Sequence, residues 1–302
     1  MAFSCPPNQK VCQQLTKLWR LLGGGYGRTM AVVLVTGGSS GIGLATVRRL
    51  AAAGDRVFAA SRNPSRGDLP EGVTPIAADI ADPAAATAVV SEVTGRAGRI
   101  DALVNNAGTG TLGPLEETPD DEAHRIFEVN FFGPLRLARA VVPVLREQGS
   151  GRIVNVSSMN DVLPAPFGGY YSASKAALAS VSLVLDAEVH RFGIRVTVVA
   201  PGLFKTEMAD SRGSYRVADG SPYQAVFQGM TAHTEAERAT ADPDQVAVAI
   251  EQILRADDPP ARVVVGSDAE EMAKMVHEAS ADDLGALLRD FVSELAGSSR
   301  RG

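Results

Sequence analysis

A tyrosine and a lysine four residues apart can make an acid that works near neutral pH. Tyr170-Tyr171-Ser172-Ala173-Ser174-Lys175-Ala176-Ala177 is followed by small and apolar residues, with no Gly or Pro before Gly193. The stretch predicts the start of a long helix, on which residues four apart share a face. Tyr171 then pairs with Lys175, and Tyr170 with Ser174. A free phenol titrates near pH 10, about 10 in model peptides, and a neighbouring ammonium favours the phenolate and lowers that value. Such a group gives a proton to a carbonyl oxygen or takes one from an alcohol. Taken alone, the pair reads equally as a surface Tyr and Lys; the rest of the chain decides.

A second constellation is Thr36-Gly37-Gly38-Ser39-Ser40-Gly41-Ile42-Gly43. It follows the apolar run Ala31–Val35 and opens the helical stretch Leu44–Ala53. Glycines let a backbone approach a phosphate, and the free amides of a helix N-terminus point at it. A bare glycine pattern is weak, because glycines also make plain turns. Its place between a buried strand and a helix is the context of a dinucleotide site. At the end of the next strand an acidic residue would bind ribose hydroxyls and select NAD. Ser61-Arg62 stands there instead. A serine bonds a phosphate oxygen and an arginine pairs with it through two parallel bonds, so NADP(H) is expected. The alternative is an Arg62 that only solvates a loop.

The elements that must position these residues alternate. Strands are expected at Ala31–Val35, Arg56–Ala60, Thr74–Ala78, Ala102–Val104, Arg152–Val156, Arg195–Val199 and Val263–Gly266, with helices between them, the last opened by Asp242-Pro243. The pattern predicts an α/β fold: a single Rossmann-type, doubly wound parallel sheet of about seven strands with helices on both faces. No internal repeat or linker divides it.

On these residues the chain resembles the short-chain dehydrogenase/reductase family, in layout the hydroxysteroid and retinol dehydrogenase-like branch. Thr36-Gly37-x-x-x-Gly41-x-Gly43 matches the family's cofactor motif, Asn105-Asn106-Ala107-Gly108 its strand-four motif, and Asp79 its adenine-contacting acid. Asn130 matches its helix asparagine, Ser158 lies thirteen positions before Tyr171 as in the family, and Pro201-Gly202 with Thr206 matches the segment that closes over nicotinamide. The resemblance implies a catalytic set of Asn130, Ser158, Tyr171 and Lys175. It implies a cofactor set of Gly37, Ser39, Ser40, Gly41, Ile42, Gly43, Ser61, Arg62, Asp79, Ile80, Asn105, Ala107, Gly108, Tyr171, Lys175, Pro201, Gly202 and Thr206. It further implies that Asn105 lies near the adenine ribose, that Asn130 holds a relay water, and that Lys175 bonds the nicotinamide ribose. Ser158 would steady the substrate oxygen; of the two serines, Ser157 is the one expected to cap backbone. Family members are usually dimers or tetramers through the helix of Tyr171 and the one before it, so a homodimer or homotetramer is expected.

The implied reaction is NADPH-dependent reduction of a ketone or aldehyde, with Tyr171 as proton donor. The competing readings are alcohol oxidation with NAD(P) and a non-catalytic dinucleotide sensor. The usually reduced NADP pool of cells and Arg62 favour reduction, and the presence of all four catalytic matches disfavours a sensor. Phe204, Met208, Tyr215, Tyr223, Phe227 and Met230 give residues 203–240 apolar bulk, interrupted by Gly213 and Gly220. This composition predicts a lid of short helices over an apolar pocket for a small carbonyl or alcohol substrate. A helix pair packed on the domain is the plainer alternative. Pro164, Pro166, Phe167, Gly168 and Gly169 enter the catalytic helix and are expected at the substrate.

The bulk numbers exclude other classes. A chain of 302 residues with 45% hydrophobic residues can bury a full core, and a net charge of −6 argues against nucleic acid. No apolar run reaches membrane-spanning length. The four histidines, His124, His190, His233 and His277, show no metal spacing. The two cysteines, Cys5 and Cys12, precede the patterned region, which suits a reducing, cytoplasmic setting. The C-terminal apolar residues from Met272 to Leu295 have helical spacing and could pack on the domain or at a subunit contact.

Residues 1–29 stand apart from the expected catalytic domain, 30–302. They hold four of the 29 basic residues and none of the 35 acidic ones, leaving 25 against 35 for the rest. Val11, Leu15, Leu18, Trp19 and Leu22 could line one helix face before Gly23-Gly24-Gly25. A misassigned start, a basic amphipathic arm and a targeting peptide all fit, and the first is favoured. Deleting residues 1–29 is then expected to leave turnover and melting temperature unchanged; a large loss of either in the truncated protein would reject that choice.

Overall fold

The computed structural model describes residues 30–206, 217–236 and 241–298. Residues 1–29, and Met208, Gly213 and Tyr215 on the substrate side, lie outside the described residues. From Ala31 on, strands and helices alternate as the apolar pattern requires. They are β1 (Val32–Thr36), α1 (Gly41–Ala52), β2 (Arg56–Ser61), β3 (Thr74–Ala77), α2 (Ala85–Ala97), β4 (Ala102–Asn105) and α3 (Asp120–Phe127). A π-turn over Glu128–Phe132 leads into α4 (Gly133–Gln148), then β5 (Gly151–Val156) and a 3₁₀ turn over Met159–Asp161. The chain continues through α5 (Gly169–Val189), β6 (Ile194–Pro201), α6 (Gln224–Ala236), α7 (Asp244–Arg255), β7 (Arg262–Val265), α8 (Ser267–Glu278) and α9 (Ala281–Ser298).

All seven strands pair in parallel in the order β3-β2-β1-β4-β5-β6-β7. A strand covered by helices on both faces reads as a continuous apolar run, because side chains alternate between two buried layers. β1 shows this directly: Val32 and Leu34 pack in one core with Phe58, Leu103 and Ile153, while Val33 and Val35 pack in the other with Val104, Val154 and Val199. The order reverses between β1 and β4, and in open α/β sheets ligands bind beyond the carboxyl ends of the strands at that point.

α5 is the long helix expected from Tyr171 onward, and it ends through a short 3₁₀ turn at Gly193, whose φ of +76° suits glycine. Within residues 203–240 the described helix is α6, and Gly229 lies against the backbone of Leu295 in α9. The C-terminal apolar face therefore backs α6.

The turn from β1 into α1 is as tight as its glycines suggest. Gly37 and Gly41 have φ of +66° and +50°. A methyl group at Gly43 would overlap the carbonyl oxygen of Gly37 and the amide of Asn106. Gly43→Ala is expected to cost about 1–3 kcal/mol, the range for overpacking a filled site. Denaturant unfolding measures it, and an unchanged midpoint would show that the turn gives way freely.

Candidate active site

The strand ends converge because the sheet is parallel. Thr36 of β1 pairs with Ala60, Asn105 of β4 with Asn155, Val156 of β5 with Val199, and Pro201 of β6 with Val265. The residues just after them form one edge. Thr36 locks the first two ends together: its hydroxyl accepts from the amides of Asn106 and Ala107, both at 3.1 Å, and donates toward Val104 O at 3.4 Å. The Asn106 side chain donates to the carbonyls of Thr36 (3.0 Å) and Gly37 (3.3 Å). The glycine turn is thereby tied to the loop after β4. Thr206 closes over the turn, since a methyl at Gly41 would touch it at 3.2 Å.

The side chain of Asn105 is tied into the fold. It is 1% exposed, and its amide donates to Asn155 Oδ1 (2.9 Å) and to Pro134 O (3.2 Å). Its side chain braces β4, β5 and the start of α4 inside the fold. Asp79 is exposed, with Oδ1 accepting from the Ala81 amide, and Ile80 beside it is buried.

At the end of β2 the Ser61 hydroxyl oxygen is buried and has no hydrogen-bond partner. Buried polar atoms are almost always paired, so this one asks for an acceptor or donor from outside the chain. Arg62 next to it is exposed, and the backbone of Ser39, in the glycine turn, packs on Gly67 a few residues further on. An orphaned hydroxyl, a cation and a glycine cradle suit a phosphorylated dinucleotide.

The catalytic matches sit around α5. Lys175 is 3% exposed and donates to Val156 O at 2.9 Å. Its Nζ lies 5.9 Å from the centre of the Tyr171 ring. Tyr171 also borders Gly110, where an added methyl would stand 3.9 Å from Cδ2, so the ring faces the loop that Asn106 begins. Burial pushes Lys175 from its ordinary 10.5 down to about 8, opposed by the negative charge of Asp161. Between those values the unfolded chain holds a proton that the folded one lacks. Burying Lys175 therefore costs stability below about pH 8, and the cost fades as pH rises to 10.5.

The other two positions carry a correction. Ser158 Oγ accepts from the amide of Asn160 at 3.2 Å and so caps the 3₁₀ turn, the backbone task expected of Ser157. The Ser157 hydroxyl lies instead 2.7 Å from Asp161 Oδ2, to which it donates. An ordinary i to i+2 cap was available to either serine; only the 3₁₀ turn after β5 decides which. Asn130 is fully buried in the π-turn. Its Oδ1 accepts from the Thr109 amide (2.8 Å), and its Nδ2 donates to Thr109 O (2.8 Å) and Ser174 Oγ (3.0 Å). Ser174 in turn donates to Tyr171 O at 2.7 Å. Both hydrogens of the Asn130 amide are used in tying the loop after β4 to α5.

Pro201 is buried and Gly202 packs on Asp268, whose carboxylate accepts from the Leu203 amide at 2.7 Å. On the substrate side Phe167 has φ +61°, a strained value for a bulky residue. Its ring packs edge-on against Phe227 at 5.7 Å and Tyr223 at 6.3 Å. Glu117 holds the start of the lid, accepting from Ser221 Oγ (2.5 Å) and the Ala218 amide (3.2 Å). Sequence reasoning passed over Glu117, Asp161 and Arg262, because no local motif marks them.

Known proteins fit this geometry. The family model described as short chain dehydrogenase matches residues 31–217. A 3-ketodihydrosphingosine reductase of Bacteroides thetaiotaomicron is 35% identical over 237 residues, 78% of this chain and 87% of that one. A crystal structure of a short-chain dehydrogenase from Streptomyces avermitilis is 36% identical, with a TM-score of 0.75 over 88% of this chain and 97% of the other. Another, from Burkholderia cenocepacia in complex with NADP, is 29% identical, with a TM-score of 0.68 over 86% and 97%. With its glycine cradle, its Tyr171–Lys175 pair and a family match over most of its length, this chain belongs to the short-chain dehydrogenase family.

Proposed function

We propose that the protein is an NADPH-dependent reductase of an apolar ketone or aldehyde. The observation that carries this reading is the buried ammonium of Lys175 beside the Tyr171 ring at the carboxyl edge of the sheet. Gly37, Gly41 and Gly43 leave room for the diphosphate, and Ser61 with Arg62 suits the 2′-phosphate. The nucleotide, when bound, supplies the hydride; the chain supplies the proton and the alignment.

An ammonium has three donors, and Val156 O takes one. The others are available to the Tyr171 side and to a ribose hydroxyl. The positive charge makes the phenol a better acid, so Tyr171 can protonate the oxygen as the carbonyl is reduced. Ser158 has its acceptor side filled by the Asn160 amide, which leaves its O–H to donate to that same oxygen as charge builds on it. Asn130, through Ser174, fixes the first turn of the helix that aims Tyr171. The aromatic wall of Phe167, Tyr223 and Phe227 favours an apolar substrate body. The similarity to a 3-ketodihydrosphingosine reductase supports a long-chain keto compound.

Loss of NADPH absorbance against ketones of increasing chain length, followed by mass detection of the alcohol, tests the reading. Tyr171→Phe is expected to bind NADPH nearly normally and lose roughly a hundredfold or more in kcat, the usual worth of a placed acid. Tyr170→Phe is expected to keep turnover; equal loss in both would misplace the phenol. For the cofactor, kcat/KM with NADPH is expected to exceed that with NADH, and Ser61→Asp to shift preference toward NADH. An efficiency with NADH at least as high as with NADPH would overturn the NADP assignment.

A further inference from the structure

A buried carboxylate lies beneath the catalytic helix and takes no part in the chemistry described above. Asp161 ends the 3₁₀ turn that Ser158 opens, and its amide bonds Ser158 O at 3.1 Å. Its side chain is 0% exposed. Arg262 of β7, 101 residues further along the chain, grips it with two bonds: Nη2 to Oδ1 at 2.7 Å and Nη1 to Oδ2 at 3.0 Å. Ser157 Oγ stands 2.7 Å from Oδ2 and 3.3 Å from the backbone oxygen of Lys175. A planar two-bond grip fixes a carboxylate in direction as well as place.

Burying a carboxylate costs several kcal/mol unless its partners recover it. Arg262 is 31% exposed and could reach solvent anions, so its pairing alone does not explain why Asp161 is driven to full burial. What burial accomplishes is to place a negative charge beside Ser157, whose hydroxyl also reaches the Lys175 backbone oxygen, and so within the electrostatic reach of the Lys175 ammonium, the other buried ion of the region. We propose that Asp161, aimed by Arg262 and Ser157, is a positioning residue that keeps the Lys175 ammonium charged and in register with Tyr171.

The charged surroundings of Lys175 are few. Tyr171 faces it from its own helix, and Asp161 from the 3₁₀ turn, with Arg262 of β7 behind. Charged groups on the other elements packed against α5 are occupied elsewhere. Arg195 of β6 pairs with Asp186 on α5, Glu122 of α3 with Arg125, and Glu128 of the π-turn with Arg136 of α4. Arg152 of β5 bonds the carbonyls of Ala256 and Asp257, while Asp120, Asp121 and His124 of α3 and Arg139 of α4 are exposed. Asp268 of α8, which packs on the 3₁₀ turn, holds the Leu203 amide. Among the described residues, Asp161 is the carboxylate that acts on Lys175, and Arg262 pairs with it.

This arrangement predicts opposite effects from its two ends. Removing the negative charge makes both Lys175 and Tyr171 release protons more readily, because a nearby anion holds both protons on. Removing Arg262 leaves the anion less neutralised and does the reverse. The inference rests on the reading of Tyr171 and Lys175 as acid and partner, yet its test does not need turnover. The chain has five lysines, Lys10, Lys17, Lys175, Lys205 and Lys274, so the protein labelled at lysine Cε gives a short spectrum, and Lys175→Met assigns the signal. The wild-type Lys175 midpoint is expected near about 8. Asp161→Asn should move it down by at least about half a pH unit, Asp161→Glu should restore most of that, and Arg262→Gln should move it up. The high-pH limb of kcat/KM for ketone reduction should move in the same directions. A midpoint that stays put in folded Asp161→Asn overturns the proposal, and so does a midpoint that moves without the activity limb. If Asp161→Asn does not fold, Arg262→Gln on the partly exposed edge strand decides, and a shift downward or no shift overturns it. Absence of ketone turnover by the wild-type protein would count against carbonyl reduction alone, because the lysine signal is read without substrate.

Discussion

Putting an ammonium inside a protein is among the costliest arrangements a fold can hold, and most of the carboxyl edge of this sheet is organised around doing so at Lys175. The ion is almost fully buried, and desolvation lowers its pKa by more than Asp161 restores. Such a charge survives only where fixed dipoles and counter-charge replace the lost water. The carbonyl at the end of β5 supplies a dipole and the 3₁₀ turn after it supplies the counter-charge. The helix that carries Lys175 cannot slide along the sheet without breaking the first of these. Tyr171, one turn earlier on the same helix, is therefore held as firmly as the lysine is.

The same edge binds its loops to one another through side chains of its own. Thr36 and Asn106 join the ends of β1 and β4. Asn105 and Asn155 join β4 to β5, and Asn155 donates to Ser182 on α5 at 2.8 Å. Asn130 and Ser174 join the loop after β4 to the first turn of that helix. In these ties each bonded donor meets an acceptor, while Asn105 Oδ1 is left without a partner; paired networks of this kind favour one arrangement because a half-made version is expensive. A parallel sheet lines the strand ends up, and the polar ties turn that line of ends into a single rigid edge.

How much of this could be read from the chain divides along a physical line. The strands were legible because both faces of a parallel sheet are buried, which writes β1 as an apolar run from Val32 to Val35. The glycine turn was legible because a backbone without room for Cβ leaves glycine as the only choice at Gly43. The Tyr171–Lys175 pair was legible because helical spacing is local. The bracing task of the Asn105 side chain was not legible, because an asparagine at a strand end looks the same whether it faces a groove or the sheet interior; only burial separates them. Ser158 takes the capping bond expected of Ser157 for a related reason, since the turn that follows, and not the residue type, decides which of two adjacent serines meets it. Asp161 and Arg262 were invisible, being 101 residues apart and meeting only when β7 joins the sheet beside β6.

Contacts of that last kind also govern the substrate side. Phe167 holds a backbone angle that a bulky residue adopts only under constraint, and strain of this sort, on the order of 1–3 kcal/mol, persists where the surroundings enforce it. Its carbonyl accepts from the Gly113 amide at 2.8 Å, and its ring is packed between Tyr223 and Phe227. The loop entering the catalytic helix, the loop after β4 and the lid helix therefore meet at one aromatic residue. Glu117 adds a polar tie between the last two, gripping Ser221 and Ala218 at the lid's start. The lid is backed from the far side by α9, against which Gly229 packs too closely to carry a side chain. α6 is thereby joined through Phe167 to Gly168 and Gly169, where α5 begins. The apolar wall that would select a substrate and the helix that would protonate it are thus parts of one mechanical unit.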